Sequence, residues 1–334
     1  MRKRILAVMG VTVMVLGMTT SVGAEEAKAD ASGKTFAAIT TQEDQFNGML
    51  NTGMQKACED YNAECVSAMS GGDETKERSL LDTYCTQEVD GVCIMPTSNI
   101  SSPATLAAVY NEYSIPLAIA DGEIEQDGII GGSTTSHTEL GYGAGKLAVE
   151  YIEANKEKYE DTIKIGVITF KTQYAEPASD RMNNFLKALD EAEIAYEVEA
   201  EGEAWVQDSS LQVTGDMLTA NSDLDIIFAC NDGGTIGAVQ AVKNAGLGGQ
   251  IKVFGIDCGE QQIDMLRSND DILQGVAAQD AYGMGYKAME KLIQYSLDDY
   301  DFELGEIEVC PATPVSRMSP ESIDDFETLL KETM

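Results

Sequence analysis

Histidine and tryptophan are almost missing from this chain: 334 residues hold one of each, His137 and Trp205. A single histidine leaves a His-based metal centre without partners. It also leaves a Ser-His-Asp triad only one candidate base. His137 stands in a polar turn ahead of a helical pattern, where it reads as a surface or capping residue. No CxxC, GxSxG, GxxxxGK[ST] or DxDxDG stretch occurs, and no GxGxxG follows a strand-like run. Redox-motif, α/β-hydrolase, P-loop, EF-hand and dinucleotide signatures are therefore missing. Acidic side chains offer many carboxylate pairs, but nothing singles out one for glycoside hydrolysis. Basic residues are scarce too: 22 Lys and Arg face 57 Asp and Glu, a formal charge of −35. Such a surface repels nucleic acid and anionic membrane.

Long apolar runs are limited to the N-terminus. Arg2-Lys3-Arg4 precedes an apolar stretch over 5–18, too short for a comfortable span, and Ser21-Val-Gly-Ala24 offers small residues for cleavage. The pattern is that of a secretory signal peptide over 1–24. Its removal takes away three positive charges and no acid, so the charge moves from −35 to −38. Residues 25–34, EEAKADASGK, read as a flexible leader. No cysteine lies near the cleavage site, so lipid attachment is not expected there. The seven cysteines are an odd number, and Cys93 and Cys230 fall inside apolar runs, where cysteine acts as a small apolar residue. Free thiols are expected, with a Cys58–Cys65 bridge left open.

What the chain does have is alternation. Apolar runs at 34–40, 64–69, 91–95 and 116–120 alternate with helical patterns at 44–61, 73–87 and 103–112. After Ser136 the rhythm restarts. Strands are expected at 163–169, 195–200, 225–230, 251–256 and 272–277. Helices are expected around Leu140–Ala148 and at 177–192, 208–221, 233–245, 259–268 and 280–296. Ser319-Pro320-Glu321 opens a last helix. Such alternation predicts an α/β fold with parallel sheets covered on both faces, and the restart predicts two of them.

Polar residues collect at the ends of the apolar runs: Asp44, Asp121, Asn231 and Asp257. Singly each reads as a helix cap. Four at equivalent places favour a shared ligand cleft, because open α/β sheets bind at the carboxyl ends of their strands. Trp205 lies in a turn, where an aromatic ring must pack or bind. Arg181 is a rare cation near a helix start. Gly141 and Gly145 lie in a helix and read as sites of close packing.

These stretches, in order, resemble the type I periplasmic sugar-binding proteins of ABC transporters, the ribose/galactose-binding group. The likeness rests on Asp44-Gln-Phe46 with Gly53-Met-Gln-Lys56, Asp90-Gly-Val-Cys-Ile-Met-Pro-Thr97, Ile115-Pro-Leu-Ala-Ile-Ala-Asp121, Arg181-Met-Asn-Asn-Phe185, Phe228-Ala-Cys-Asn-Asp-Gly233, Gly255-Ile-Asp257 and Gln279. It implies two doubly wound parallel-sheet domains with a three-crossover hinge, a Venus-flytrap. The implied N-terminal lobe is 35–135 plus 280–310, and the C-terminal lobe 136–279 plus 311–334. Phe46 and Trp205 would stack on the two faces of a sugar ring. Asp44, Asp121, Arg181, Asn231, Asp257 and Gln279 would hydrogen-bond its hydroxyls, while Asp232 caps the following helix. Gly122, Asn47 and Met95 depart from the ribose-like pattern, and Tyr174 is a candidate for the missing aromatic surface. The implied protein is a monomer exported to a periplasm or cell-envelope space. It is not an enzyme, needs no metal or cofactor, and hands a monosaccharide or polyol to an ABC permease. The alternatives are a sensor presenting a sugar or furanosyl signal to a chemoreceptor or histidine kinase and, more remotely, a secreted carbohydrate-active enzyme. A signal peptide in place of a DNA-binding helix pair argues against a transcription regulator.

Overall fold

A computed structural model describes residues 28–124, 126–159 and 162–333. The proposed signal peptide and the first part of the leader lie outside them. Leu117–Ala120, Ile226–Ala229 and their like are apolar at every position, so they must be buried on both faces. Helices on either side of a parallel sheet achieve this. In chain order the elements are β1 (Thr35–Thr40), α1 (Gln45–Asp60), β2 (Glu64–Met69), α2 (Glu74–Thr86), β3 (Gly91–Ile94), α3 (Ser102–Tyr113), β4 (Leu117–Ala120) and β5 (Ile129–Thr135). Then follow α4 (His137–Ala154), β6 (Ile163–Thr169), α5 (Ala175–Glu191), β7 (Tyr196–Glu203), α6 (Gln207–Ala220), β8 (Ile226–Ala229), α7 (Asp232–Asn244), β9 (Lys252–Ile256), α8 (Glu260–Arg267) and β10 (Leu273–Ala278). The chain ends with α9 (Ala281–Ser296), β11 (Ile307–Cys310), β12 (Thr313–Ser316) and α10 (Pro320–Thr333).

Two six-stranded sheets result, ordered β2-β1-β3-β4-β5-β11 and β7-β6-β8-β9-β10-β12. Each repeats the doubly wound order in which the first strand pairs on both sides, leaving a switch point between β1 and β3 and between β6 and β8. The duplication expected from the rhythm is thus a topological one. The chain passes between the sheets three times, from β5 to α4, from β10 to α9 and from β11 to β12. One strand departs from the parallel expectation: β12 runs antiparallel to β10. It sits at the sheet edge, where Pro314 and its missing N–H can be accommodated.

Caps fix where the helices begin. Asp44, Asp73, Ser136, Asn231 and Asp280 each accept a hydrogen bond from a first-turn N–H of the following helix. Glycines fix how closely the helices approach. A Cβ on Gly285 of α9 would lie 2.0 Å from the Leu50 carbonyl oxygen of α1, and one on Gly141 of α4 would lie 2.1 Å from that of Arg181 on α5. The two helices that follow a crossover therefore pack on the first helix of their sheet in the same way.

The expectation of a flexible leader is corrected for residues 28–34. Ala31 is buried, and its N–H donates to the Tyr61 carbonyl at 2.7 Å. The Lys28 ammonium pairs with Glu290 and lies 5.3 Å from the ring centroids of both Tyr61 and Tyr286. A small side chain at 31 and a cation at 28 tie the segment to α1 and α9. All seven cysteines are free thiols, Cys58 and Cys65 among them. No helix among the described residues is long and apolar enough to cross a membrane.

Candidate ligand-binding cleft

The carboxyl ends of both sheets face one another across a cavity of about 310 Å³, at the small end of small-molecule pockets. Asp44, Phe46, Asp121, Arg181, Trp205, Asn231, Asp257 and Gln279 all line it. The strand ends bring them together. Asp44 and Phe46 follow β1, Asp121 follows β4, and Asn231, Asp257 and Gln279 follow β8, β9 and β10. The lobes also touch directly. The Tyr174 hydroxyl donates to the Pro96 carbonyl, and the Gln261 N–H donates to Gln45 Oε1 at 3.4 Å.

Capping and cleft-lining are not alternatives here, because the same side chains do both. Asp44 Oδ1 accepts from the N–H and the Nδ2 of Asn47, each at 2.8 Å. Asn47 Oδ1 in turn accepts from the Thr41 N–H at 3.0 Å and its hydroxyl at 3.1 Å. The departure at position 47 therefore locks the turn after β1. Asn231 Oδ1 accepts from the Gly234 N–H at 3.1 Å, and its Nδ2 donates to the Trp205 carbonyl at 2.7 Å. Capping by Asp232 is thereby corrected. Asn231 has the extended backbone of a cap (φ −157°), while Asp232 is already helical and its carboxylate accepts from Gln262. Gly233 is required at the next position, since a Cβ there would lie 2.5 Å from the Trp205 carbonyl oxygen.

Asp121 and Asp257 occupy matching places, after the fourth strand of each sheet, and both have left-handed backbone, φ +61° and +70°. Aspartate tolerates that region better than most residues, and such conformations gather at functional sites. Asp257 is well partnered: Oδ2 accepts from the Asp232 N–H at 3.0 Å and Oδ1 from Gln279 Nε2 at 2.7 Å. Asp121 Oδ1 is buried without a hydrogen-bond partner. Burial pushes the Asp121 carboxyl up to about 6; the Arg181 charge opposes this and that of Asp257 adds to it. Burial also raises Asp257, and it raises Asp232 to about 7 with help from the Asp257 charge.

Arg181 is 4% exposed. Nη1 donates to the Cys230 carbonyl at 2.9 Å, while Nε and Nη2 reach Nδ1 of His137 at 3.4 and 3.2 Å. The guanidinium carbon lies 5.4 Å from the Phe170 ring centroid. Arginine only donates, so Nδ1 must accept and the imidazole proton sits on Nε2. Burial, with Arg181 adding, drives the histidine down to about 3 and keeps the ring neutral. His137 is thus corrected from a surface or capping residue to a wall of the cleft; Ser136 caps α4. Its contact with Arg181 joins residues 44 apart, which local pattern does not show. Phe170 was also missed, although it ends the apolar run of β6 at the same place as the other cleft residues. Tyr174 lines the cleft and meets Trp205 edge-on, with ring centroids 5.5 Å apart.

The raised carboxyls make a testable statement about stability. Asp232 and Asp121 hold more protons folded than unfolded between their ordinary 3.8 and about 7 or 6. Their contribution is full below 3.8 and is lost as pH rises through those values. His137 acts oppositely, losing stability as pH falls through 6.5 toward 3. Between pH 8 and 6.5 that loss is about 0.4 kcal/mol, smaller than the gain from the carboxyls. The ligand-free protein should gain about 1 kcal/mol from Asp232 over that interval, or about 2 °C in melting temperature. Calorimetry of Asp232→Asn, which keeps the contact with Gln262, should show a correspondingly flatter pH slope.

A family model described as a periplasmic binding protein domain matches residues 36–298. The ABC transporter periplasmic-binding protein YphF of Escherichia coli is 27% identical over 310 residues, covering 86% of this chain and 91% of that protein. The ribose import binding protein RbsB of Haemophilus influenzae is 24% identical over 268 residues, 80% of this chain and 85% of the relative. Among solved structures, a Bacillus halodurans ABC transporter solute-binding protein with bound myo-inositol superposes with a TM-score of 0.73 at 19% identity, covering 90% of this chain and 99% of that one. By its family match, its paired sheets and its relatives, the chain belongs to the periplasmic binding protein family, as a type I sugar-binding protein of the ABC-transporter kind.

Proposed function

We propose that this protein captures a monosaccharide or related polyol between its lobes and delivers it to an ABC importer from an exported, monomeric state. The carrying observation is that Phe46 from one lobe and Trp205 from the other line the same small cavity as Asp121, Arg181, Asn231, Asp257 and Gln279. A sugar ring has apolar C–H faces suited to aromatic stacking and a rim of hydroxyls that both donate and accept. Carboxylates accept, arginine donates through a planar fork, and amides do both. A ligand touching both lobes favours the closed form by its differential affinity, and that form would dock on the permease.

The test is a thermal-shift screen of residues 25–334 against pentoses, hexoses, polyols and furanosyl signals, with amino acids as controls. Ligand at 100 times its dissociation constant adds about 2.7 kcal/mol, and several degrees of melting temperature. Trp205→Ala should weaken the hit at least about tenfold, since a buried aromatic anchor commonly contributes 2 kcal/mol or more. A shift with amino acids alone would overturn the ligand class and leave the fold intact.

A further inference from the structure

Among the described residues that line the cleft, carboxyl groups outnumber cationic side chains. Asp121, Asp232 and Asp257 line it with a single guanidinium among the described residues, that of Arg181. That guanidinium directs its hydrogen bonds to the Cys230 carbonyl and the His137 ring, not to a carboxylate. The neutral imidazole adds no positive charge. Gly122, beside Asp121, supplies no cation, and a Cβ there would already come within 3.0 Å of Ile119 Cγ2.

Hydrogen bonding points the same way. Three side-chain oxygens lining the cavity are buried without a partner: Asn99 Oδ1, Asp121 Oδ1 and Gln279 Oε1. Gln279 is 4% exposed. Its orientation is set by the bond from Nε2 to Asp257 Oδ1, so its free atom is an acceptor. A hydroxyl satisfies such an oxygen but brings another oxygen that needs a donor. An ammonium brings three donors, no acceptor and a positive charge, and buried carboxylates are costly unless paired. Asp121 and Asp257 stand at matching strand ends, one on each lobe, and line the same cavity.

Building on the sugar-receptor reading, we propose that the ligand is a polyhydroxylated amine, an amino sugar or amino-cyclitol, whose ammonium group lies against Asp121 and Asp257. The hydroxyls use the spare hydrogens of Arg181, and the ring lies between Phe46 and Trp205.

The experiment is isothermal titration calorimetry at pH 7.5 with matched sets. Glucosamine, galactosamine and mannosamine are each compared with the parent hexose and the N-acetyl derivative, and an inosamine is compared with myo-inositol. In at least one set the amine should bind at least tenfold more tightly than its neutral counterparts. Acetylation should remove the advantage, because it removes the charge at the same ring position. Asp121→Asn should narrow the gap within that set, with circular dichroism confirming the fold. Neutral parents that bind as well as or better than every amine would overturn the inference and leave the sugar-receptor reading standing. Silence from amines and neutral ligands alike would overturn both.

Discussion

Arg181→Ala is expected to weaken ligand binding by at least about 2 kcal/mol, a factor of about 30 in Kd, and to lower the melting temperature. The side chain is 4% exposed and holds two walls of the cleft together, the end of β8 through the Cys230 carbonyl and the start of α4 through His137. Its removal leaves a buried carbonyl without that donor, at about 1–3 kcal/mol. It also takes away the charge that restrains the rise of the Asp121 and Asp257 carboxyls. Those groups should then titrate at still higher pH. Arg181→Lys separates the contributions: it keeps the charge but loses the planar fork that reaches two acceptors at once. Titration calorimetry should rank wild type above Lys above Ala. Unchanged affinity in the alanine variant would remove Arg181 from the binding site.

Gly141→Ala is expected to lower stability by about 1–3 kcal/mol and to weaken binding as well. On an exposed helix the substitution would help, by roughly 1 kcal/mol. Here the new Cβ would lie 2.1 Å from the Arg181 carbonyl oxygen and 2.7 Å from its Cα. Both are backbone atoms, so the helices must separate. The separation moves α5 and with it the guanidinium in the cleft. Gly215→Ala on α6 is the control of opposite sign: nothing lies within 4 Å of its Cβ, and it should raise the melting temperature. Denaturation curves and ligand titrations on both variants check the pair. A stabilised Gly141→Ala would mean that α4 and α5 do not pack at this distance in solution.

The fold was largely legible because most of its central strands are apolar runs buried on both faces. An apolar run such as Ile163–Thr169, bounded by polar turns, shows itself without knowledge of its neighbours. Three strands escaped because their residues do not form an apolar run. β5 reads IIGGSTT, with glycines and hydroxyls where an apolar run would be sought. β11 and β12 are four residues each and half-exposed, and β12 holds a proline. These two are edge strands, placed by pairing with β5 and β10 and not by their own pattern.

Sequence by itself determined the class of the protein. Periodicity and capping residues act over a few positions, so alternation, helix starts and the polar residues at strand ends could be read directly. Only the tertiary structure decided what those residues do to one another. It set His137 against Arg181, Tyr174 against Pro96, and Asp121 in one cavity with Asp257, residues separated by 44, 78 and 136 positions. Burial, charge compensation and unpaired acceptors are properties of distance in space. Two sheets must fold and meet before those distances exist, which is why the cleft's unpartnered acceptors could not be found along the chain.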